Sequence, residues 1–430
     1  MKIKLSLLFV CLLLLGGYQT VNNVLGTPIR IKEHISNAQK YEKKEIYEDA
    51  LEEYKAAVQL GEEDISIKRK IAEMQLKLDD TSAFVTACES LIDGKDMDEE
   101  SLQMLVDYYD SEGKKTSIVE LLKSLRKKVT DNKTVEKLWK QYRGYYEESY
   151  FSYDEVSPFY QGYSIVKNEN CFGLADSKGE IVIPIVYETM GFFSKDYSVA
   201  SVCENGNWYY LNTKVHKKIV PDEAYDFLGV LSEDTALVGK DGKYGFADIN
   251  IVPKTKLEWD RASNLYQGIA AVKQNGKWGL LDDSFQMVTE YQYEDIAVNE
   301  AGFCSGQERV FAKTKKGYQM LDKKGKKVGQ DLYEDVRPFE TDELAAVKQG
   351  GKWGFVNTSG ELVIQCQYED AHSFTQEIAA VKKNGKWGYI NISNEMIVEP
   401  VFEEAYPFNE DGMAPVKNEN WYFIYLPAIA

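Results

Sequence analysis

Lys386-Trp387-Gly388, set in the run from Ile378 to Ile390, decides how this chain folds, because the chain repeats it. Lys277-Trp278-Gly279 and Lys352-Trp353-Gly354 are identical copies. Looser copies stand at Cys171-Phe172-Gly173, Asn207-Trp208-Tyr209, Lys243-Tyr244-Gly245, Gly317-Tyr318-Gln319 and Asn420-Trp421-Tyr422. The aromatics Phe172, Trp208, Tyr244, Trp278, Tyr318, Trp353, Trp387 and Trp421 follow one another at intervals of 34 to 40 residues. A near-constant period of that size marks a repeat architecture.

Around Trp387 the unit reads strand by strand. Ile378-Ala379-Ala380-Val381-Lys382 is a strand, Asn384-Gly385 a turn, and Lys386 to Ile390 the returning strand. Asn-Gly is a strong hairpin signal, because both residues tolerate positive φ. Tyr368-Glu369-Asp370-Ala371 precedes the hairpin and leads through Phe374 into a loop. Met396-Ile397-Val398 opens a third strand that runs through Pro400 toward Phe402-Glu403. Asn205-Gly206, Asp241-Gly242, Asn275-Gly276 and Gly350-Gly351 repeat the first turn. Asp176 with Gly179, Asp322 with Gly325 and Asn357 with Gly360 repeat the second, in the pattern of a type I turn. Ala270-Ala271-Val272, Ala345-Ala346-Val347 and Ala379-Ala380-Val381 have no polar face, so these strands are covered on both sides. Such sheets stack face to face, as blades do around a propeller axis, with the small alanines expected nearest that axis.

The K-W-G signature, the A-A-V-K strand and the following Y-E make residues 153–426 resemble the bacterial WG-repeat (KWG) family. Tyr209, Gln319 and Tyr422 depart from it where glycine is expected. The resemblance implies an interaction module without an assigned chemistry. Third strands follow seven of the hairpins, near Ile183, Ile219, Val252, Val288, Val328, Val363 and Ile397. The missing one lies at the front, where Tyr153 to Phe159 aligns with Tyr368 to Phe374. Glu148 to Ser152 is therefore expected to pair with the Trp421 hairpin. That pairing closes an eight-bladed, propeller-like ring of three-stranded blades over residues 149–430. The alternative is an open β-solenoid. Closure removes both sheet edges, although propeller blades typically have four strands.

Residues 31–148 have helical spacing instead. Ala38, Ala72 and Val106 are 34 residues apart, as are Ala50, Phe84 and Ile118. Tyr54, Cys88 and Leu122 keep the same step, and so do Ala57, Leu91 and Leu125. The first copy resembles the tetratricopeptide repeat, with Ala38, Tyr41, Ala50, Tyr54 and Ala57 at its small and aromatic positions. Phe84 and Ile118 depart from it. A last helix near Thr134 to Glu147 would cap the array. The resemblance implies either a groove for a peptide or helix, or a spacer. The chain is thus read as α + β and multidomain. Ahead of the helices, Lys2 and Lys4 precede an apolar run from Leu5 to Leu15 and then Gly16-Gly17-Tyr18. Residues 1–26 have the form of a signal peptide or N-terminal membrane anchor, with anchoring through residues 5–24. Either form puts the folded part outside the cytoplasm.

The chemistry is sparse. The 430 residues carry a formal charge of −18, from 69 acidic against 51 basic side chains, which argues against a nucleic-acid partner. Cys11, Cys88, Cys171, Cys203, Cys304 and Cys366 form no C-x-x-C pair and read as free, mostly buried thiols. His34, His216 and His372 are isolated. No metal site, cofactor or catalytic residue is expected, and no phosphate or dinucleotide loop or nucleophile motif is present. The carboxylates of Tyr187-Glu188, Tyr225-Asp226, Tyr293-Glu294, Tyr333-Glu334 and Tyr368-Glu369 recur too evenly for catalysis and are expected to accept backbone N–H groups in adjoining loops. The eight signature aromatics are expected to plug one sheet onto the next. The expectation is an extracytoplasmic interaction or scaffold protein, not an enzyme, with a protein or cell-envelope polymer as partner. The alternative is a protein that binds or hydrolyses cell-wall or extracellular polymer from one propeller face.

Overall fold

The computed structural model describes residues 26–93, 97–215 and 217–429. The expected leader, its anchoring stretch at 5–24, Cys11 and His216 lie outside the described residues, residue 26 apart. The described chain divides into two compact units, residues 26–142 and 143–429.

The first unit is helical. Helix α1 covers residues 26–42, with α2 at Tyr47–Gln59, α3 at Ile65–Lys77 and α4 at Thr81–Ile92. Helices α5, α6 and α7 follow at Glu99–Ser111, Lys115–Lys128 and Lys133–Tyr142. Asp64, Asp80 and Asp98 cap α3, α4 and α5, accepting from the backbone N–H of Ser66, Ala83 and Ser101. The 34-residue register is a register of core positions: of its twelve residues, all are buried except half-buried Leu91. Asp98 also receives the Arg69 guanidinium through two bonds, from Nε at 2.9 Å and a terminal nitrogen at 2.7 Å. This fork holds the Asp98 carboxyl below its ordinary range and ties α3 to the start of α5. Helix α7 stops at Tyr142, short of the expected Glu147, because Glu147 and Glu148 pair as a strand in the second unit.

The second unit is an eight-bladed β-propeller of small antiparallel sheets. Blades 1 to 4 cover residues 155–187, 189–219, 227–247 and 261–293. Blades 5 to 7 cover 295–333, 335–368 and 370–402, and blade 8 joins 404–425 to 147–148. Blade 7 shows the pattern, with strands at Asp370–Ala371, Ile378–Lys383, Lys386–Asn391 and Met396–Phe402.

The expected three-stranded blade is therefore corrected to four strands in most blades. Except in blade 2, where it spans Thr189–Ser194, the extra strand is only two residues long, as at Asp370–Ala371, before the chain bends away. Two residues cannot display the alternation by which a strand is read from sequence. These first strands, with the loops that follow them, line the centre of the ring, so the alanine-rich strand is second from the axis. Blade 3 differs again. Its expected outer strand near Val252 is replaced by the isolated bridges Ala247↔Pro253 and Tyr244↔Trp259.

The ring is closed, which excludes the open solenoid. Glu147 and Glu148 pair with Tyr425 and Ile424. Ser149 donates to the Phe423 carbonyl at 2.8 Å, and Tyr153 and Trp421 exchange backbone bonds of 2.8 and 3.0 Å. Tyr153 and Phe159 then pack on the Phe423 ring, with centroids 5.7 and 5.0 Å away. The front segment thus supplies the outer strand of the last blade.

Closure predicts a specific crosslink. Cysteines replacing Glu147 and Tyr425, in a chain otherwise free of cysteine, should form an intramolecular disulfide on oxidation. It should raise stability by about 2–4 kcal/mol over the reduced form, measured by denaturant unfolding. A monomer that stays reduced under oxidant, with no gain in stability, would contradict this register.

Candidate functional site

The signature aromatics are structural in their placement. Each stands near the start of the third strand of its blade, and most face the aromatic that closes the fourth. The pairs are Phe172↔Tyr187, Trp278↔Tyr293, Tyr318↔Tyr333, Trp353↔Tyr368 and Trp387↔Phe402, with Trp421↔Tyr153 at the closure. The lysine of the second strand lies over the same ring, 4.9 Å from Tyr318 and 5.8 Å from Trp387. Over Trp353 the Arg337 guanidinium takes that place, at 4.9 Å. Trp278, Tyr318, Trp353, Trp387 and Trp421 are buried, while Phe172, Trp208 and Tyr244 are half-buried.

The glycine after the aromatic has a steric cause. A Cβ at Gly354 would lie 2.5 Å from the Ile364 carbonyl oxygen, and one at Gly388 equally close to that of Val398. Here the bulged fourth strand crosses the third, and only glycine leaves room. Tyr209 and Tyr422 stand where the outer strand is the short Lys217–Ile219 or Glu147–Glu148, paired without that bulge. Nothing in the structure explains Gln319 in the same way.

The recurrent carboxylates hold turns, as expected. Glu369 accepts from the N–H of Asn384 and Gly385 at 3.1 and 2.8 Å, and Glu334 from Gly350 and Gly351 at 2.9 and 3.1 Å. Glu188 and Asp226 serve the turns at Gly206 and Asp241. Glu294 instead meets the Lys277 ammonium at 2.6 Å.

A second repeated position was missed in the sequence. Eleven residues before the signature aromatics stand Gln161, Tyr197, Glu233, Gln267, Gln307, Asp342, Gln376 and Glu410. They sit at the turns between first and second strands, and several reach the corresponding turn of the next blade. Glu233 accepts from the N–H of Gln267 and Gly268 at 2.7 and 3.0 Å, and Gln267 from Glu308 at 2.8 Å. Gln161 accepts from Lys195 at 2.7 Å, and Gln307 donates to the Thr341 carbonyl at 2.7 Å. Gln161, Glu233, Gln267, Gln307 and Gln376 adopt φ of 49–53°, the left-handed region, at roughly 1–2 kcal/mol each. The bonds to the neighbouring blade offset that strain. Only the spacing could have revealed them, since the residue type changes from blade to blade.

Five of these residues, Gln161, Gln267, Gln307, Gln376 and Glu410, line an axial cavity of about 440 Å³, which turns of blades 1 and 4 to 8 enclose. Phe303 closes its floor, with the Tyr160 ring 5.6 Å away and the Tyr266 ring 4.9 Å away. Phe303 comes from a loop that blade 5 lengthens, and the 40-residue step from Trp278 to Tyr318 was its trace in the sequence. Glu340 reaches the cavity from blade 6 and accepts from Asn299 Nδ2 at 3.4 Å. Burial, reinforced by the Glu300 charge, pushes its carboxyl up to about 7 against the Asn299 bond. Asn409, 9% exposed, uses Oδ1 for the N–H of Asp411 and Met413, which leaves its buried Nδ2 without a partner. None of the signature aromatics lines this cavity. Tyr244, Trp278 and Tyr318 come together instead at a second one, of about 520 Å³, with Phe227 and Asp295.

Burial pushes the Cys304 thiol up to about 11 and Cys88 up to about 12, so both stay protonated at neutral pH. His372 lies 5.2 Å from the Trp387 ring and 5.5 Å from Tyr406, and burial pushes its pKa well down. Among the described residues no three metal-ligating side chains come together.

Six stretches, 150–170, 172–208, 253–278, 320–353, 353–387 and 387–422, match the WG containing repeat. The β domain belongs to the WG-repeat family. No curated protein matches the chain. Among solved structures the WG-repeat propeller is similar to "Dihydro-heme d1 dehydrogenase NirN in complex with DHE", at 10% identity and a TM-score of 0.42, covering 66% of this chain and 74% of that one. It is similar also to the "Crystal structure of the eukaryotic initiation factor", at 10% identity and TM-score 0.42, covering 66% and 86%. The Pan2 WD40 domain of Neurospora crassa is a further match, at 13% identity and TM-score 0.30, covering 56% and 89%.

Two outcomes are expected for WG-repeat residues. Gly354→Ala should cost about 1–3 kcal/mol in thermal or denaturant unfolding, because the fourth strand must move off the new methyl group. An unchanged melting temperature would mean the strands do not cross this closely. Glu340 titrates near 4.5 when exposed but near 7 in the fold, so the folded state binds the extra proton between these values. Stability contributed by this group therefore falls as pH rises from about 4.5 to about 7. Glu340→Gln should flatten that decline and melt higher than the parent above pH 7, in paired melting curves across the range.

Proposed function

We propose that this chain is an extracytoplasmic interaction scaffold that binds a partner protein without turning it over. The observation that carries this reading is the contrast between two sets of repeated positions. Aromatics, glycines and turn carboxylates recur nearly unchanged and serve packing. The turns between first and second strands keep their place but change side chain from blade to blade, and those of blades 1 and 4 to 8 line an open cavity of about 440 Å³. A frame kept constant around a varied mouth is what selective recognition needs. The location rests on Lys2, Lys4 and the apolar run after them. A second reading, binding of a cell-envelope polymer, is favoured by one feature. Tyr244, Trp278 and Tyr318 line a single open cavity, where aromatic faces could stack on sugar rings.

Two measurements test the proposal. A photo-crosslinking amino acid at Glu410, on the axial rim, should trap a discrete protein adduct in living cells, and the same group at Val363 on an outer strand should not. Equal labelling from both positions would reject the axial face as the recognition surface. Protease added to wall-stripped cells should digest the chain beyond about residue 30, and full protection would reject the location.

A further inference from the structure

The axial cavity holds a carboxylate, Glu340, that meets no cationic side chain among the described residues. Glu340 has one long bond, from Asn299 Nδ2 at 3.4 Å, and the charge that acts on it is another carboxylate, Glu300. No lysine or arginine is among the residues that line the cavity. The rim carboxylate Glu410 lies 3.5 Å from the Lys195 ammonium, and both are more than half exposed. A half-buried carboxylate without a counter-ion costs free energy that a bound cation would return.

The surroundings select the kind of cation. Tyr160, Tyr266 and Phe303 meet at the floor with centroid separations of 4.9 and 5.6 Å, and Phe339 and Phe408 complete an aromatic wall. Ring faces attract organic ammonium groups and add little for a hard metal ion, which needs six or more oxygen ligands. Anionic ligands are disfavoured by Glu340 and by the charge of −18. Asn409 also stands in this wall, with its Nδ2 donor buried and unpartnered.

We infer that the axial cavity binds an organic ammonium group, with Glu340 as its counter-ion and Tyr160, Tyr266 and Phe303 as its aromatic cage. The inference deepens the scaffold reading, on which it rests for the choice of face, by naming what the partner presents. The ammonium could belong to a lysine side chain of a partner or to a free quaternary amine, and the chemistry of recognition is the same.

Calorimetric titration of the full chain at a pH above the Glu340 transition tests this. The probes are choline, N-acetyl-lysine methylamide and 3,3-dimethylbutanol, a neutral analogue of choline's head. At least one cation should bind, about tenfold or more tighter than the neutral alcohol. Choline alone would assign a free amine, and the lysine derivative alone a partner side chain. Glu340→Gln should lower cation affinity about tenfold with the alcohol unaffected, while Glu399→Gln, exposed on the outer strand of blade 7, should change either by less than about twofold. Should Glu340→Gln fail to fold, Phe303→Leu provides the second variant, again with selective loss of the cation. Equal affinity for cation and alcohol, or no binding of either cation up to about 10 mM, would overturn the inference. If the Glu410 photo-adduct still formed in that case, the scaffold reading would survive and the ammonium site alone would fall.

Discussion

The β unit depends on one pairing, between the segment from Glu147 to Tyr153 and the hairpin that ends at Tyr425. Without it, the last blade would present a bare strand edge at Tyr425 and the first would lack a neighbour. Edges of that kind invite pairing with other chains, and closure removes them. Closure also constrains every other blade, because eight sheets must share one full turn. The tight crossings at Gly354 and Gly388 and the aromatic pairs such as Trp353 with Tyr368 keep each blade to a common shape. Two repeats that depart, at Tyr209 and Tyr422, do so where the outer strand is short and unbulged.

Constant blades leave the axis as the place where difference can accumulate. Most first strands are two residues long and feed turns that converge on the centre, so blades 1 and 4 to 8 each contribute their own side chains to one small volume. Those turns are strained and are bonded to their neighbours, Glu233 to Gln267 and Gln267 to Glu308, which links blades near the axis as well as through their sheets. Blade 5 adds the longer loop that brings Phe303 across to Tyr160 of blade 1. Closure of the floor and isolation of the Glu340 carboxylate both depend on that one insertion and on the Asn299 beside it.

Much of this was legible in the chain. Eight K-W-G-like words, five of them after an Asn-Gly, Asp-Gly or Gly-Gly turn, specify eight hairpins, because each hairpin is decided by residues within a few positions of one another. The count of third strands placed the missing one at the front, and the helical register from Ala38 to Leu125 marked core positions. Turn-binding carboxylates such as Glu369 were legible for the same reason, since donor and acceptor belong to one blade.

Sequence by itself determined the number of blades and the strand that closes them, both products of short-range patterns repeated at a fixed step. Tertiary structure alone decided the fourth, two-residue strand, the loss of the expected strand at Val252 and the meeting of Tyr160, Tyr266, Phe303 and Glu340 at the axis. These four residues come from four different repeats. No local pattern relates them, and only the curvature accumulated around a closed ring brings them together.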